Sequence, residues 1–328
     1  MKILICIIVI ITICAGVFGV RKFLREIDAF DPLNRELFEA VAGDLLLDVG
    51  YSGHGDLEKV KSALKKGANV NFVNANGTTL LMVSEDKEII KTLLDAGINV
   101  NAKDDFGNTA LMLHINNPEI VKLILQANAD VNIKDNKGNN ALMRAAKKGE
   151  AQSLQLLLDT GKIKINDTNK RGQTAIMLAS GFSTGRIIPT RLFYASEKGH
   201  LDCVRTLLNN KADINAVDKD GKTALIYAAQ LVDTEQMYDP KIEENSATQA
   251  ERIRFVSFNE LSKPKSEQIQ IVKLLLEKDA EVNHKDKAGK TALDYAIEAK
   301  SNIPADYKEI HALLDEIIPL LISSEVKE

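Results

Sequence analysis

Apolar residues recur along this chain in two alternating patterns. One is a short run that opens on Thr or Asn and continues with Ala, Leu or Ile: "TTLLM" from Thr78, "NTALM" from Asn108, "NNALM" from Asn139, "QTAIM" from Gln173, "KTALI" from Lys222 and "KTALD" from Lys290. The other places apolar residues at i, i+3 and i+4, as at Ile120, Leu123 and Ile124, which is the spacing of one helix face. Polar stretches separate the two, and six of them share one spelling: Asn, two residues, Asp or Asn, two residues, Gly. They begin at Asn71, Asn101, Asn132, Asn166, Asn215 and Asn283 and close on Gly77, Gly107, Gly138, Gly172, Gly221 and Gly289. The predicted unit is helix, turn, helix, then an extended turn.

The residue types suit those places. Gly supplies positive φ in a tight turn, and Asn or Asp side chains satisfy turn backbone groups. Thr79, Thr109, Asn140, Thr174, Thr223 and Thr291 stand where helix N-caps are expected. A single unit cannot bury its apolar face alone, so neighbours stack. With its Gly-x-Thr-Ala-Leu helix starts, its Leu-Leu-x-x-Gly-Ala-x-Val-Asn helix ends and a period near 33 residues, the chain from Asn34 to Leu321 resembles the ankyrin repeat family. The resemblance implies an all-α fold, an ankyrin-repeat α-solenoid of about seven helix pairs with short β-hairpin-like turns, over residues 34–322.

Three departures bear on the packing. The family's Thr-Pro-Leu-His reads Thr-Ala-Leu-Met here, so Met112, Met143 and Met177 replace a hydrogen-bonding His and apolar contacts are expected there. The turn after the second helix keeps Gly at Gly67, Gly97 and Gly161 but carries Asn128, Lys211 and Asp279 elsewhere, and the last two are poor left-handed residues. The long last helix contains Pro319, which should end or kink it, and residues 323–328 are expected to form a frayed tail.

The repeat spacing also breaks. Successive repeat asparagines lie 30, 31, 34, 49 and 68 residues apart. The surplus falls between the two helices of a repeat, at about 181–196 and 232–266, and a similar insert occupies about 42–54. Insertions in a solenoid map to loops on one face, so the two later inserts are expected to be neighbours. They carry Tyr238, Phe255 and Phe258 among six aromatics. Two readings fit: an elaboration packed on itself, and a partner-binding knob.

The N-terminus is different in kind. An apolar run from Ile3 to Val20 is followed by Arg21, Lys22 and Arg25. Residues 1–20 fit a cleaved signal peptide and an uncleaved transmembrane anchor equally, with 21–33 as linker. A lipidated Cys14 fits less well, since Ile13 before it is large. Every fate brings the chain to a membrane, as a tethered protein or as one secreted or periplasmic after cleavage.

Composition narrows the chemistry. The net charge of −4 argues against a nucleic acid partner. The five histidines are scattered without metal-ligand spacing, no nucleotide-binding or nucleophile motif occurs, and no cofactor is implied. Cys203 lies in the helix "HLDCVRTLL" and reads as a small core residue. The expectation is a monomeric, non-catalytic protein-binding scaffold. Alternatives are an exported effector-like protein acting on a foreign or host target through its inserts, and an enzyme with a site in them. In the ankyrin family, hairpin tips and first helices line a concave groove. Carried over by position, the candidates for partner contact are Phe106, Asn136, Lys137, Arg144, Lys170, Arg171, Lys219, Asp220 and Tyr227, with Tyr238, Phe255 and Phe258 in the inserts.

Overall fold

The computed structural model describes residues 31–42, 55–181, 199–230, 264–302 and 308–325. The N-terminal segment, the bodies of all three inserts and the final residues lie outside these. Among the described residues the chain forms seven helix pairs: α1 (Pro32–Ala42) with α2 (Leu57–Lys65), α3 (Leu80–Val83) with α4 (Lys87–Asp95), α5 (Ala110–Leu113) with α6 (Pro118–Gln126), α7 (Ala141–Lys148) with α8 (Ala151–Asp159), α9 (Ala175–Ser180) with α10 (His200–Asn209), α11 (Ala224–Ala229) with α12 (Pro264–Glu277), and α13 (Ala292–Asn302) with α14 (Lys308–Glu325). The extended segments include one isolated antiparallel bridge, Val73 with Thr79. This is the all-α solenoid of helix pairs that the sequence predicts. Two compact units divide between Asn136 and Lys137. Within each, first helices stack on first helices and second on second.

The second helices form for local reasons. Asp86 accepts from the backbone N–H of Glu88 and Ile89 at 2.8 and 3.0 Å, which caps α4. Asn117 caps α6, with Pro118 at its first position, where no N–H is needed. Ile89, Ile90 and Leu93 of α4, and Ile120, Val121 and Ile124 of α6, are buried, and Lys and Glu face solvent. Each buried Leu or Ile contributes about 1.5–3 kcal/mol. The first helices are shorter and rich in Ala: Ala141, Ala145, Ala175, Ala179, Ala224 and Ala228 are all buried.

Several local expectations need revision. Thr79, Thr109, Thr174, Thr223 and Asn140 do stand at N-caps, but only Thr223 and Asn140 among these five make a side-chain cap bond. Of the three methionines expected to make apolar contacts, Met177 is not purely apolar, and Met82 in the first of these helix starts behaves like it. The backbone N–H of Thr79 and of Thr174 donates to Met82 Sδ and Met177 Sδ, each at 3.5 Å, so sulfur supplies a weak acceptor at the helix start. In the last repeat Asp294 fills that role, accepting from Thr291 N–H at 2.8 Å. Pro319 lies inside α14 and does not end it. Buried Leu314, Ile317 and Leu321 on either side hold the helix together there. The helix runs to Glu325, with Ser323 and Ser324 donating to the Leu320 carbonyl, so it enters the stretch expected to fray. The first helix begins at Pro32, two residues before Asn34, with Asp31 accepting from Leu33 N–H at 3.0 Å. Asn128, Lys211 and Asp279 do take the left-handed conformation, at φ 61°, 65° and 61°.

Candidate partner-binding surface

Five of the six Asn-x-x-Asp/Asn-x-x-Gly stretches, those closing on Gly77, Gly107, Gly172, Gly221 and Gly289, fold into a hairpin by the same bonds. In the second repeat, Asp104 N–H donates to Asn108 O and Gly107 N–H donates to Asp104 O. Asp104 Oδ1 accepts from Phe106 and Asn108 N–H at 2.9 and 2.7 Å. Asn74, Asn169, Asp218 and Asp286 do the same in their own turns. The leading Asn of the motif reaches to the next repeat: Asn71 Oδ1 accepts from Asn99 N–H, Asn101 from Asp130, Asn166 from Asp213 and Asn215 from Glu281.

A backbone ladder joins the tips. In the N-terminal unit Asp105 N–H donates to Asn76 O and Asn136 N–H to Phe106 O, at 3.0 and 2.9 Å. In the C-terminal unit Lys170 donates to Lys137 O, Lys219 to Arg171 O and Lys287 to Asp220 O, at 3.0, 3.0 and 2.9 Å. The ladder is tight enough to dictate glycine. Gly138 holds φ +84°, and a Cβ there would sit 2.7 Å from Lys170 N.

With the main chain engaged, tip side chains project outward. In the N-terminal unit Phe106 is 68% exposed, and Asn136 is exposed with its Nδ2 donating to Asp105 O at 2.8 Å. In the C-terminal unit Lys137, Lys170, Arg171, Lys219 and Asp220 are exposed, and Arg144 and Tyr227 are half-buried. Tyr227 also ties two turns together. Its hydroxyl donates to Asp218 Oδ2 at 2.7 Å and accepts from Gln173 Nε2 at 2.8 Å. Burial, then the bond to Asp218, pushes its hydroxyl far up. Tyr238, Phe255 and Phe258 lie outside the described residues.

Sequence reasoning missed Lys147. It lies one helical turn after Arg144 on α7, so the two share a face. Solvent reaches it, yet burial of its stem, then Lys137, Arg171 and Arg144 in that order, hold its amine below the ordinary lysine range. The i, i+3 spacing of Arg144 and Lys147 was the available signal. Gln268 was missed as well. Its Nε2 donates to Ser180 O at 3.1 Å and to Ala228 O at 2.7 Å, the ends of α9 and α11. Neighbouring Glu267 accepts from Leu201 N–H at 2.9 Å, capping α10. The roots of the two later inserts thus meet at one place, while the expected contact between insert bodies lies outside the described residues.

The remaining titratable candidates are structural. Cys203 is buried, and burial first, then Asp202 and nearby carboxylates, pushes its thiol up to about 12. His114 is buried, with Nε2 2.8 Å from Leu81 O. Burial holds its imidazole below the ordinary 6.5, more than the Leu81 carbonyl raises it. Among the described residues no group of three or more His, Cys, Asp or Glu could hold a metal ion. Nor is any described helix long and apolar enough to cross a membrane.

Comparison with known proteins agrees with this architecture. The family model "Ankyrin repeats (3 copies)" matches residues 49–135 and 113–188, and "Ankyrin repeats (many copies)" matches 192–230, together more than half of the chain. Ankyrin repeat domain-containing protein 29 of Danio rerio is 37% identical over 71 residues, 22% of this chain, and the match spans only 18% of that relative's length. Among solved structures, the human ASB11 ankyrin repeat domain is similar with a TM-score of 0.53 at 18% identity, covering 81% of this chain and 91% of that one. An ankyrin repeat domain from Acinetobacter baumannii AYE gives a TM-score of 0.48 at 27% identity, covering 73% and 92%.

Proposed function

We propose a function from one premise: the chain belongs to the ankyrin repeat family, and it acts as a non-catalytic protein–protein interaction scaffold. The observation that carries the reading is the division of labour in the hairpins. Their main chains bond to one another along the ladder, and their tip side chains project outward. Partner contact is assigned to these tips and to the adjoining first helices, with Phe106, Arg144 and Arg171 as anchors, residue types enriched at interface hot spots. Capture of partners by the full chain tests this. The triple change Phe106→Ala, Arg144→Ala, Arg171→Ala should lose a partner that the unaltered chain retains, and an unchanged partner set would refute the assignment.

We further propose that residues 3–20 bring the protein to a membrane, as an anchor or as a cleaved export signal. The support is the apolar run and the basic cluster after it. Intact mass of the protein recovered from its native cell separates the two: a start at Gly16 or Val20 means export, a retained Met1 an anchor. A second reading, an exported effector-like protein acting through its inserts on a foreign or host target, draws support from the convergence of both insert roots on Gln268. Deleting 232–262 while retaining Gln268 should abolish capture under this reading and spare it under the first.

A further inference from the structure

Resting on the reading that the hairpin tips bind a protein, we propose that Lys137, Arg144, Lys147, Lys170 and Arg171 receive an acidic segment of that partner, a run of Asp and Glu laid across adjacent tips of the C-terminal unit. The placement is geometric. Lys170 N–H bonds to Lys137 O, and Lys219 N–H to Arg171 O, each at 3.0 Å, so consecutive tips are locked side by side. Arg144 and Lys147 stand one turn apart on α7, directly after the hairpin that carries Lys137. Among the described residues, no carboxylate pairs with the side chains of Lys147, Lys170 or Arg171.

The carboxylate of the neighbouring turn is already engaged. Asp218 is buried, with Oδ1 accepting from two backbone N–H groups and Oδ2 from Tyr227. The exposed tips of this unit carry Lys137, Lys170, Arg171, Lys219 and Lys287 and one exposed carboxylate, Asp220. Burial of its stem, then the like charge of Lys137, Arg171 and Arg144, disfavours the protonated form of Lys147, and an incoming carboxylate would relieve the repulsive part. Arg144 and Arg171 add planar forks that take a carboxylate through two hydrogen bonds. A protein segment fits better than a polynucleotide, because the patch is local on a chain whose net charge is −4.

The test uses the full chain and a dye-labelled Glu-rich peptide, beside its Gln counterpart, a single-stranded DNA oligonucleotide and phosphatidylserine vesicles. At low salt the Glu peptide should bind at least about tenfold more tightly than the Gln peptide, and the advantage should shrink as salt shortens the screening length. Lys170→Glu with Arg171→Glu should remove that advantage, and Lys273→Glu, an exposed cation on the second helix α12, should leave it intact. Equal binding of both peptides overturns the proposal, as does retention of the advantage in the double variant. Tighter binding of the oligonucleotide or vesicles through the same residues would overturn it too. If the Phe106, Arg144, Arg171 triple variant loses its partner while the Glu peptide never binds, the acidic-segment inference fails and the tip-binding reading survives.

Discussion

The hairpins of the N-terminal unit and those of the C-terminal unit share one backbone and differ in what they display. Asn74, Asp104, Asn169, Asp218 and Asp286 make the same paired bonds to their own turns. The N-terminal tips show Ala75, Asn76, Asp105 and Phe106, whereas Lys137, Lys170, Arg171, Lys219 and Lys287 dominate the C-terminal ones. Backbone and turn residues therefore fix the fold in both units, and tip chemistry varies without disturbing it. The units also finish their short first helices differently. α3 ends after four residues, which leaves the Leu81 carbonyl without an intrahelical donor, and His114 of the next repeat supplies one. α9 and α11 are cut short by inserts, and one amide, Gln268, serves both ends.

The largest expected effect tests whether the ladder is the shared element. Gly107→Ala and Gly138→Ala put a Cβ 2.8 and 2.7 Å from the backbone nitrogen of the next hairpin, besides the positive-φ strain. Each should cost about 2–5 kcal/mol in denaturant unfolding. Gly289→Ala, in the last hairpin with nothing within 4 Å, should cost only about 1–2 kcal/mol. Equal costs at the three sites would break the comparison.

Next come the two helix-end donors. Gln268→Ala strands two buried carbonyls and should destabilise by about 2–4 kcal/mol; His114→Ala strands one and should cost about 1–3 kcal/mol. Their pH dependence should separate them. The folded-state pKa of His114 lies below its ordinary 6.5, so the folded state binds fewer protons than the unfolded state just below that value. Its contribution is full above pH 6.5 and declines as pH falls from there toward the lowered folded-state value. His114→Ala should flatten that part of the stability profile, and Gln268→Ala should leave it in place.

The smallest effect is a gain. Lys211→Gly and Asp279→Gly relieve left-handed strain at φ 65° and 61°, and each should raise stability by about 0.5–1 kcal/mol, read as a higher melting temperature.

The repeat was legible because its signals are local: a turn Gly, an Asn or Asp acceptor and an i, i+3, i+4 stripe each act within a few residues. The same locality exposed Lys211 and Asp279 as left-handed positions. What escaped were bonds that close only across repeats. Gln268 lies 88 residues from Ser180 and 40 from Ala228, and nothing in its own helix marks it out. His114 was set aside because it lacked metal spacing, whereas its partner is a carbonyl 33 residues away. Met177 read as apolar although its sulfur accepts the Thr174 N–H. The tips were found by position, but the grouping of Lys147 with Lys137, Arg144 and Arg171 needed the helix and two hairpins in place.

The central claim, that tip side chains and first helices carry binding while the rest of each repeat supports them, is most directly tested by amide hydrogen exchange of the full chain with and without a captured partner. Slowed exchange should appear in the hairpins and first helices at 136–147, 170–178 and 219–227. Slowing confined to the second helices, at 151–159 and 200–209, would contradict it.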